Sequence, residues 1–285
     1  MQLQIAAGGK VTAAAAADKL AGHVDEFNRN GYTVLNSAFA ADEIAILRKA
    51  IVSNERMNTH FRNAQAKFRK KKYPSFDTII VWNDTSGDDL FAKFTRSAKI
   101  IEVIERVFDD EVYVYHNKVA LKYPDMPGFK HHQDYFYWYG MGCLWPDLAT
   151  CYIAVDRADR GNGCLRLVRG SHRLGRIEHK RFDASDSSVD PERLPAILAR
   201  LPEDYIEMEP GDAVIFHCNT LHASDANRSE RSRLALLGCY NTKRNDPIIR
   251  SHDHPNFIQQ SKILDRVVPA DLAKMPDFDL HYRNQ

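Results

Sequence analysis

The run His131-His132-Gln133-Asp134-Tyr135-Phe136-Tyr137-Trp138 places an imidazole and a carboxylate two positions apart. In an extended strand residues i and i+2 share a face, so His132 and Asp134 project together while His131 and Gln133 point the other way. Two such groups are two legs of a metal site. A third histidine from a distant strand would complete a two-histidine, one-carboxylate facial triad, which leaves three positions on iron for small ligands. His217 and His222 both follow the turn Pro210-Gly211-Asp212 and the apolar strand it launches, and either could supply the third leg. His222 has the richer company: Ser224 stands two residues on, and Arg233 opens the strand Leu234-Ala235-Leu236-Leu237-Gly238-Cys239-Tyr240. A guanidinium entering an apolar strand needs a buried anion, because burying it unpaired is costly. A dicarboxylic cosubstrate held by a bidentate fork would be such an anion. An isolated His-x-Asp pair arises often by chance, and its bland reading is a buried His–Asp hydrogen bond; the ordered set with His222, Ser224 and Arg233 lifts it above that.

These groups lie far apart in sequence, so strands must gather them. From Glu111 onward the chain reads as short β-rich runs at 112–122, 131–138, 149–156, 164–168, 205–208, 213–216 and 233–241. Turn clusters such as Pro124-Asp125 and Asp159-Arg160-Gly161-Asn162-Gly163 separate them, a pattern that predicts a sandwich or barrel. The first hundred residues read as mostly helical. Leu20, Val24 and Phe27 form one apolar stripe over 13–30, a short strand Tyr32 to Leu35 follows, and Ile44, Leu47 and Ile51 mark a helix opened by Ala41-Asp42. Two more helices are expected near 88–96 and 98–108. Before them, 58–76 interleaves Arg62, Lys67, Arg69, Lys70, Lys71 and Lys72 with Phe61, Phe68, Tyr73 and Phe76. That stretch reads as a solvated loop or as a lid whose cations meet an anionic substrate. Residues 174–203 form a polar, partly helical insertion, and 243–285 an irregular tail in which His252-Asp253-His254 reads as surface loop rather than as an independent weak metal site. The expectation is one domain over 1–285: a helical support layer (1–110), a β core (111–242) and the tail.

The ordered motifs resemble the phytanoyl-CoA dioxygenase superfamily of iron(II)/2-oxoglutarate oxygenases, including its ectoine hydroxylase branch. The resemblance rests on His132-x-Asp134, then His222, then Arg233 eleven positions later, together with Tyr32-Thr33-Val34-Leu35 before a helix, Asn162-Gly163-Cys164-Leu165, Gly170-Ser171-His172 and Pro210-Gly211-Asp212. It spans about residues 25–245 and implies a mainly β fold with α: a double-stranded β-helix (jelly roll, cupin-like) core under a helical N-terminal layer. It implies that His132, Asp134 and His222 bind Fe(II), that Arg233 pairs with the distal carboxylate of 2-oxoglutarate, and that Ser224 adds a hydrogen bond. Phe129 and Lys122 match positions lining the cosubstrate pocket, Trp138 matches an aromatic close to the metal, and His116 or Asn117 could touch the cosubstrate. With O2 as third reactant, the implied reaction releases succinate and CO2 and hydroxylates a C–H bond. The run His116-Asn117-Lys118-Val119-Ala120-Leu121-Lys122 departs from the ectoine branch, which counts against ectoine as substrate. Asp134 stands where halogenating relatives carry Gly or Ala, which counts against halogenation.

Composition narrows the partners. Thirty-nine basic against 38 acidic residues give a net charge of +1 over 285 residues, too balanced for a pooled basic face that would hold nucleic acid or an anionic membrane. No apolar run approaches the ~18 residues of a membrane span. Five scattered cysteines without a CxxC pattern argue against a zinc ribbon or a disulfide framework, and fit a cytoplasmic setting. The expected partner is a small polar, anionic or zwitterionic molecule. Natural-product tailoring by desaturation, cyclisation or epoxidation uses the same cofactors and is not separated by sequence, and a non-catalytic ligand-binding jelly roll would show a broken triad. Oligomeric state, monomer or homodimer, stays open.

Overall fold

The computed structural model describes residues 13–71, 78–181, 187–249 and 256–276. Helix α1, Ala13–Asn30, seats Phe27 in the core and leads into strand β1, Tyr32–Leu35. Helix α2, Ala41–Ser53, buries Ile44, Leu47 and Ile51, and the Glu43 carboxylate accepts from the Ala40 N–H at 2.9 Å to cap its first turn. Helix α3, Glu55–Lys71, comes next, followed by strand β2, Ile79–Trp82, and helices α4, Leu90–Thr95, and α5, Ala98–Phe108. The rest is built on β3, Val112–Lys122; β4, Phe129–His132; helix α6, Asp134–Gly140; β5, Leu148–Ala154; and β6, Leu165–Val168. The short β7, His179–Arg181, and β8, Ser187–Val189, precede helix α7, Leu194–Leu198. Strands β9, Glu203–Ile206; β10, Ala213–His217; β11, His222–Ser224; and β12, Arg233–Thr242, complete the strands among the described residues.

Every named ladder is antiparallel. A six-stranded sheet runs β1-β10-β5-β12-β3-β2, a four-stranded sheet runs β4-β11-β6-β9, and β7 pairs with β8. Alternation divides the large sheet's side chains between two faces. Val119, Ile153, Ile215, Leu234 and Leu236 pack with Leu47, Ile51, Phe61, Phe94 and Ile104 of the helical layer. Tyr152, Ala154, Val214, Phe216 and Ala235 point the other way and meet Leu165, Leu167 and Ile206 of the small sheet. This is a jelly roll, mainly antiparallel β, with helices backing one sheet. Among the described residues no helix is long and apolar enough to cross a membrane.

Four sequence expectations need correction. The basic stretch at 58–76 is not a loop over its described part, because α3 runs to Lys71. Met57, Phe61 and Ala64 are buried at helical spacing, with Arg62 and Lys67 exposed on the other side of the helix. Residues 72–77 lie outside the described residues. The run 131–138 is not one strand: β4 ends at His132 and α6 starts at Asp134. Strands β2 and β11 were not expected. The insertion 174–203 holds helix α7, as expected of a partly helical segment, but also the unforeseen strands β7 and β8; its residues 182–186 lie outside the described residues, as does His252-Asp253-His254.

Candidate metal and cosubstrate site

His132 and His222 are direct partners across the β4–β11 ladder, so the backbone register itself brings their rings to 4.1 Å between centroids. Asp134 joins them from the first turn of α6, not by strand alternation. The switch from strand to helix is held at Gln133, which is wholly buried. Its side-chain amide donates to the carbonyls of Asn219 at 2.7 Å and Gly175 at 2.8 Å and accepts from the Ile177 N–H at 2.7 Å, while its own N–H donates to His179 Nε2 at 2.9 Å. One potential ligand atom from each of His132, Asp134 and His222 lies within 4.8 Å of the others, and His222 Nε2 stands 3.8 Å from Asp134 Oδ1.

The surrounding hydrogen bonds decide which atoms are left to bind. His132 Nδ1 meets the Lys130 carbonyl at 2.8 Å and His222 Nδ1 the Thr220 carbonyl at 3.0 Å. A carbonyl only accepts, so both Nδ1 atoms carry the proton and both Nε2 lone pairs are available to a metal. Thr150 Oγ1 donates to Asp134 Oδ2 at 2.8 Å, leaving Oδ1 on the side of the histidines. Burial and the neighbouring imidazole lower the His132 pKa, and burial lowers that of His222. Burial alone would raise Asp134, but the Lys118 charge, helped by the Thr150 hydrogen bond, overrides it and holds the carboxyl below its usual range. Two neutral imidazoles beside a carboxylate are the protonation states a divalent ion requires, so the donor set fits iron(II).

The second part of the site lies along β3 and β12. Arg233 stands opposite Lys122 in their ladder, and both are buried. The guanidinium donates to the Gly163 carbonyl, yet its Nε is buried with no hydrogen-bond partner. The Tyr152 ring lies 5.8 Å from it, and the Tyr152 hydroxyl is likewise buried without a partner. Lys122 Nζ donates to Ser224 Oγ at 2.8 Å and to the Asp225 carbonyl at 2.6 Å, and Ser224 Oγ also accepts from the Phe129 N–H at 3.2 Å. Burial, then the Arg233 charge, push the Lys122 pKa down to about 6. A guanidinium, a lysine whose charge an anion would restore, and two orphaned polar atoms in one apolar pocket fit a carboxylate.

Of the residues singled out in the sequence, His132, Asp134 and His222 converge, and Arg233, Ser224, Lys122 and Phe129 form one connected cluster. Trp138 packs from α6 onto His116 at 5.8 Å between centroids. Asn117 is misplaced by the sequence reading: it shares a β3 face with Val119 toward the helical layer, while His116, Lys118 and Lys122 face the site. His217 is also elsewhere, among Phe27, Phe108 and His172. The sequence reading missed Thr150, Tyr152, Gln133 and Lys118. Of these only Lys118 had a signal, its even spacing from Lys122.

The sequence profile described as phytanoyl-CoA dioxygenase matches residues 27–235, most of the chain. The chain belongs to the phytanoyl-CoA dioxygenase family. It is an iron(II)- and 2-oxoglutarate-dependent dioxygenase, an oxidoreductase that uses O2. Ectoine dioxygenase of Stutzerimonas stutzeri (strain A1501) is 26% identical over 258 residues, covering 83% of this chain and 82% of that protein. A 2-aminoethylphosphonate dioxygenase from the uncultured bacterium HF130_AEPn_1 is 30% identical over 148 residues, 52% of this chain and 53% of its own. The crystal structure of EctD from S. alaskensis with 2-oxoglutarate and 5-hydroxyectoine superposes on this family member with a TM-score of 0.65 at 21% identity, covering 87% of each chain.

Proposed function

We propose that this dioxygenase hydroxylates an unactivated C–H bond of a small polar metabolite, releasing succinate and CO2. Iron(II) would be held by His132 Nε2, His222 Nε2 and Asp134 Oδ1. The distal carboxylate of 2-oxoglutarate would sit on Arg233, with Ser224 and Lys122 beside it. The observation that carries this reading is the pair of Nδ1 bonds to backbone carbonyls, which turns two otherwise ordinary histidines into preset Nε2 donors facing one carboxylate oxygen.

When bound, the iron and its cosubstrate supply the oxidation of a C–H bond by O2, with decarboxylation of 2-oxoglutarate providing the second pair of electrons. The chain's share is placement. Arg233 and Lys122 neutralise and orient the distal carboxylate, Thr150 fixes the carboxylate plane of Asp134, and Trp138, Tyr137 and His116 wall the metal end and exclude water. The names of the relatives, which refer to ectoine and to 2-aminoethylphosphonate, support a small-molecule substrate. Five buried, unbonded cysteines support the reducing cytoplasm as its setting.

The test is anaerobic titration of the metal-free protein with Fe(II) and 2-oxoglutarate, following the visible charge-transfer band of the chelate. The band is expected in the natural protein and absent in His132→Ala of intact circular dichroism; small acids are then screened by succinate release. A folded natural protein that forms no band would sink the assignment.

A further inference from the structure

Strand β3 turns two lysines toward the site. Lys122 is engaged by Ser224 and the Asp225 carbonyl and stands beside Arg233 at the cosubstrate end. Lys118, four residues earlier on the same face, lies about 13 Å away along the strand, at the metal end. Its side chain is only partly buried. Its ammonium is 5.9 Å from the centroid of the Trp138 ring, and the Cys239 thiol, Tyr137 and Asp134 are its other neighbours. No described carboxylate closes a salt bridge on it: the ion-pair neighbour of Asp134 is His222.

The charges at this end do not balance once the site is loaded as proposed above. The distal carboxylate of 2-oxoglutarate is met by Arg233 and Lys122. At the metal end, iron(II) and Lys118 face the Asp134 carboxylate and the keto-acid carboxylate. The two imidazoles are neutral there, so one positive charge is left over. It stands beside Trp138, Tyr137 and His116 with no described carboxylate of the chain in an ion pair with it, which leaves it available to an anion.

We propose that Lys118 determines specificity by binding an anionic group of the substrate, a carboxylate or a phosphonate, beside the metal. The inference rests on the proposed function and assigns the substrate class to it. Such a contact is a charge-assisted hydrogen bond, stronger than its neutral counterpart, and it orients the substrate from a strand rather than from a loop.

The test uses the anaerobic protein loaded with Fe(II) and 2-oxoglutarate, with the visible band as readout. Acetate and methylphosphonate are titrated in, with acetamide as the neutral control. Both anions should shift the band saturably, and acetamide should not. Lys118→Gln should form the same band at the same 2-oxoglutarate concentration yet need about tenfold more of either anion, which corresponds to ~1.4 kcal/mol. Lys118→Arg, which keeps the charge, should recover most of that loss. The inference is overturned by no anion response in the natural protein, an equal response to acetamide, or an unchanged anion requirement in Lys118→Gln. A raised 2-oxoglutarate requirement in Lys118→Gln would place Lys118 on the cosubstrate, and a lost band would make it a positioning residue for Asp134; either outcome overturns it. Absence of the band in the natural protein is a different failure, because it removes the iron and 2-oxoglutarate assignment on which the inference stands.

Discussion

At the scale of single residues, the site depends on groups that never touch the metal. Thr150 holds one oxygen of Asp134 and so selects the other for coordination. Thr150→Val keeps the shape and removes the donor. It should weaken iron binding about tenfold or more, the usual cost of losing a partner of a metal ligand, with little loss of folding; the Fe(II) half-saturation of the chelate band measures it. Lys122 makes a pH prediction. Its folded pKa is depressed to about 6, below the ~10.4 of an exposed lysine, so between those values the unfolded chain holds the extra proton. The stability Lys122 contributes is therefore full above the upper value and is lost as pH falls toward 6. A dianionic cosubstrate favours the charged form, so its binding takes up a proton. The 2-oxoglutarate half-saturation should rise with pH between about 6 and 8, by up to tenfold per unit, and Lys122→Met should flatten that slope.

At the scale of elements, the small sheet sets the distance between the ligands. Gly128, just before β4, passes so close to β11 that an added Cβ would fall 1.9 Å from the Ser224 carbonyl oxygen. That contact is with backbone, which cannot swing aside. Gly128→Ala should pry β4 from β11 at the pair that aligns His132 with His222, lowering both thermal stability and iron affinity; a variant with unchanged melting and titration would show that the two strands are not held in register there. The same elements explain how far the sequence could be read. Helices α1 and α2 announce themselves by apolar stripes, and β12 by an unbroken apolar run. Strand β11 does not, because three residues carry no period. Helix α6 hides for another reason: His-x-Asp and the aromatics that follow look like alternation, while the strand is ended by hydrogen bonds from Gln133 to residues that are 42 to 86 positions away. Nor could the sequence show that Thr150 and Tyr152 meet the site, since their roles depend on which β5 face the second sheet covers. The motif residues themselves, His132, Asp134, His222 and Arg233, were readable because their order along the chain is their signature.

At the scale of the whole molecule, the ligands are drawn from both sheets and from the helix between them. Strand β4 brings His132 and β11 brings His222, while β3 and β12 of the other sheet bring Lys122 and Arg233. A ligand spanning these elements binds the folded chain alone, so Fe(II) with 2-oxoglutarate at about 100 times its dissociation constant should add ~2.7 kcal/mol. For a chain of this length that is a rise of several degrees in melting temperature, to be read by anaerobic scanning calorimetry and reversed by a chelator. An unchanged melting temperature at saturation would mean that the folded chain has no preference over the unfolded one for the ligand. The five cysteines, all buried and unbonded, then acquire a use unrelated to chemistry. Two lie in the six-stranded sheet and three in the connections: Cys151 is deep on β5, Cys239 beside the metal end on β12, and Cys164 next to the Arg233 pocket. A thiol reagent reaches each one only when its surroundings open. The protein thus carries its own set of position-resolved clocks, and their labelling rates give the order in which the barrel comes apart without adding a single foreign probe.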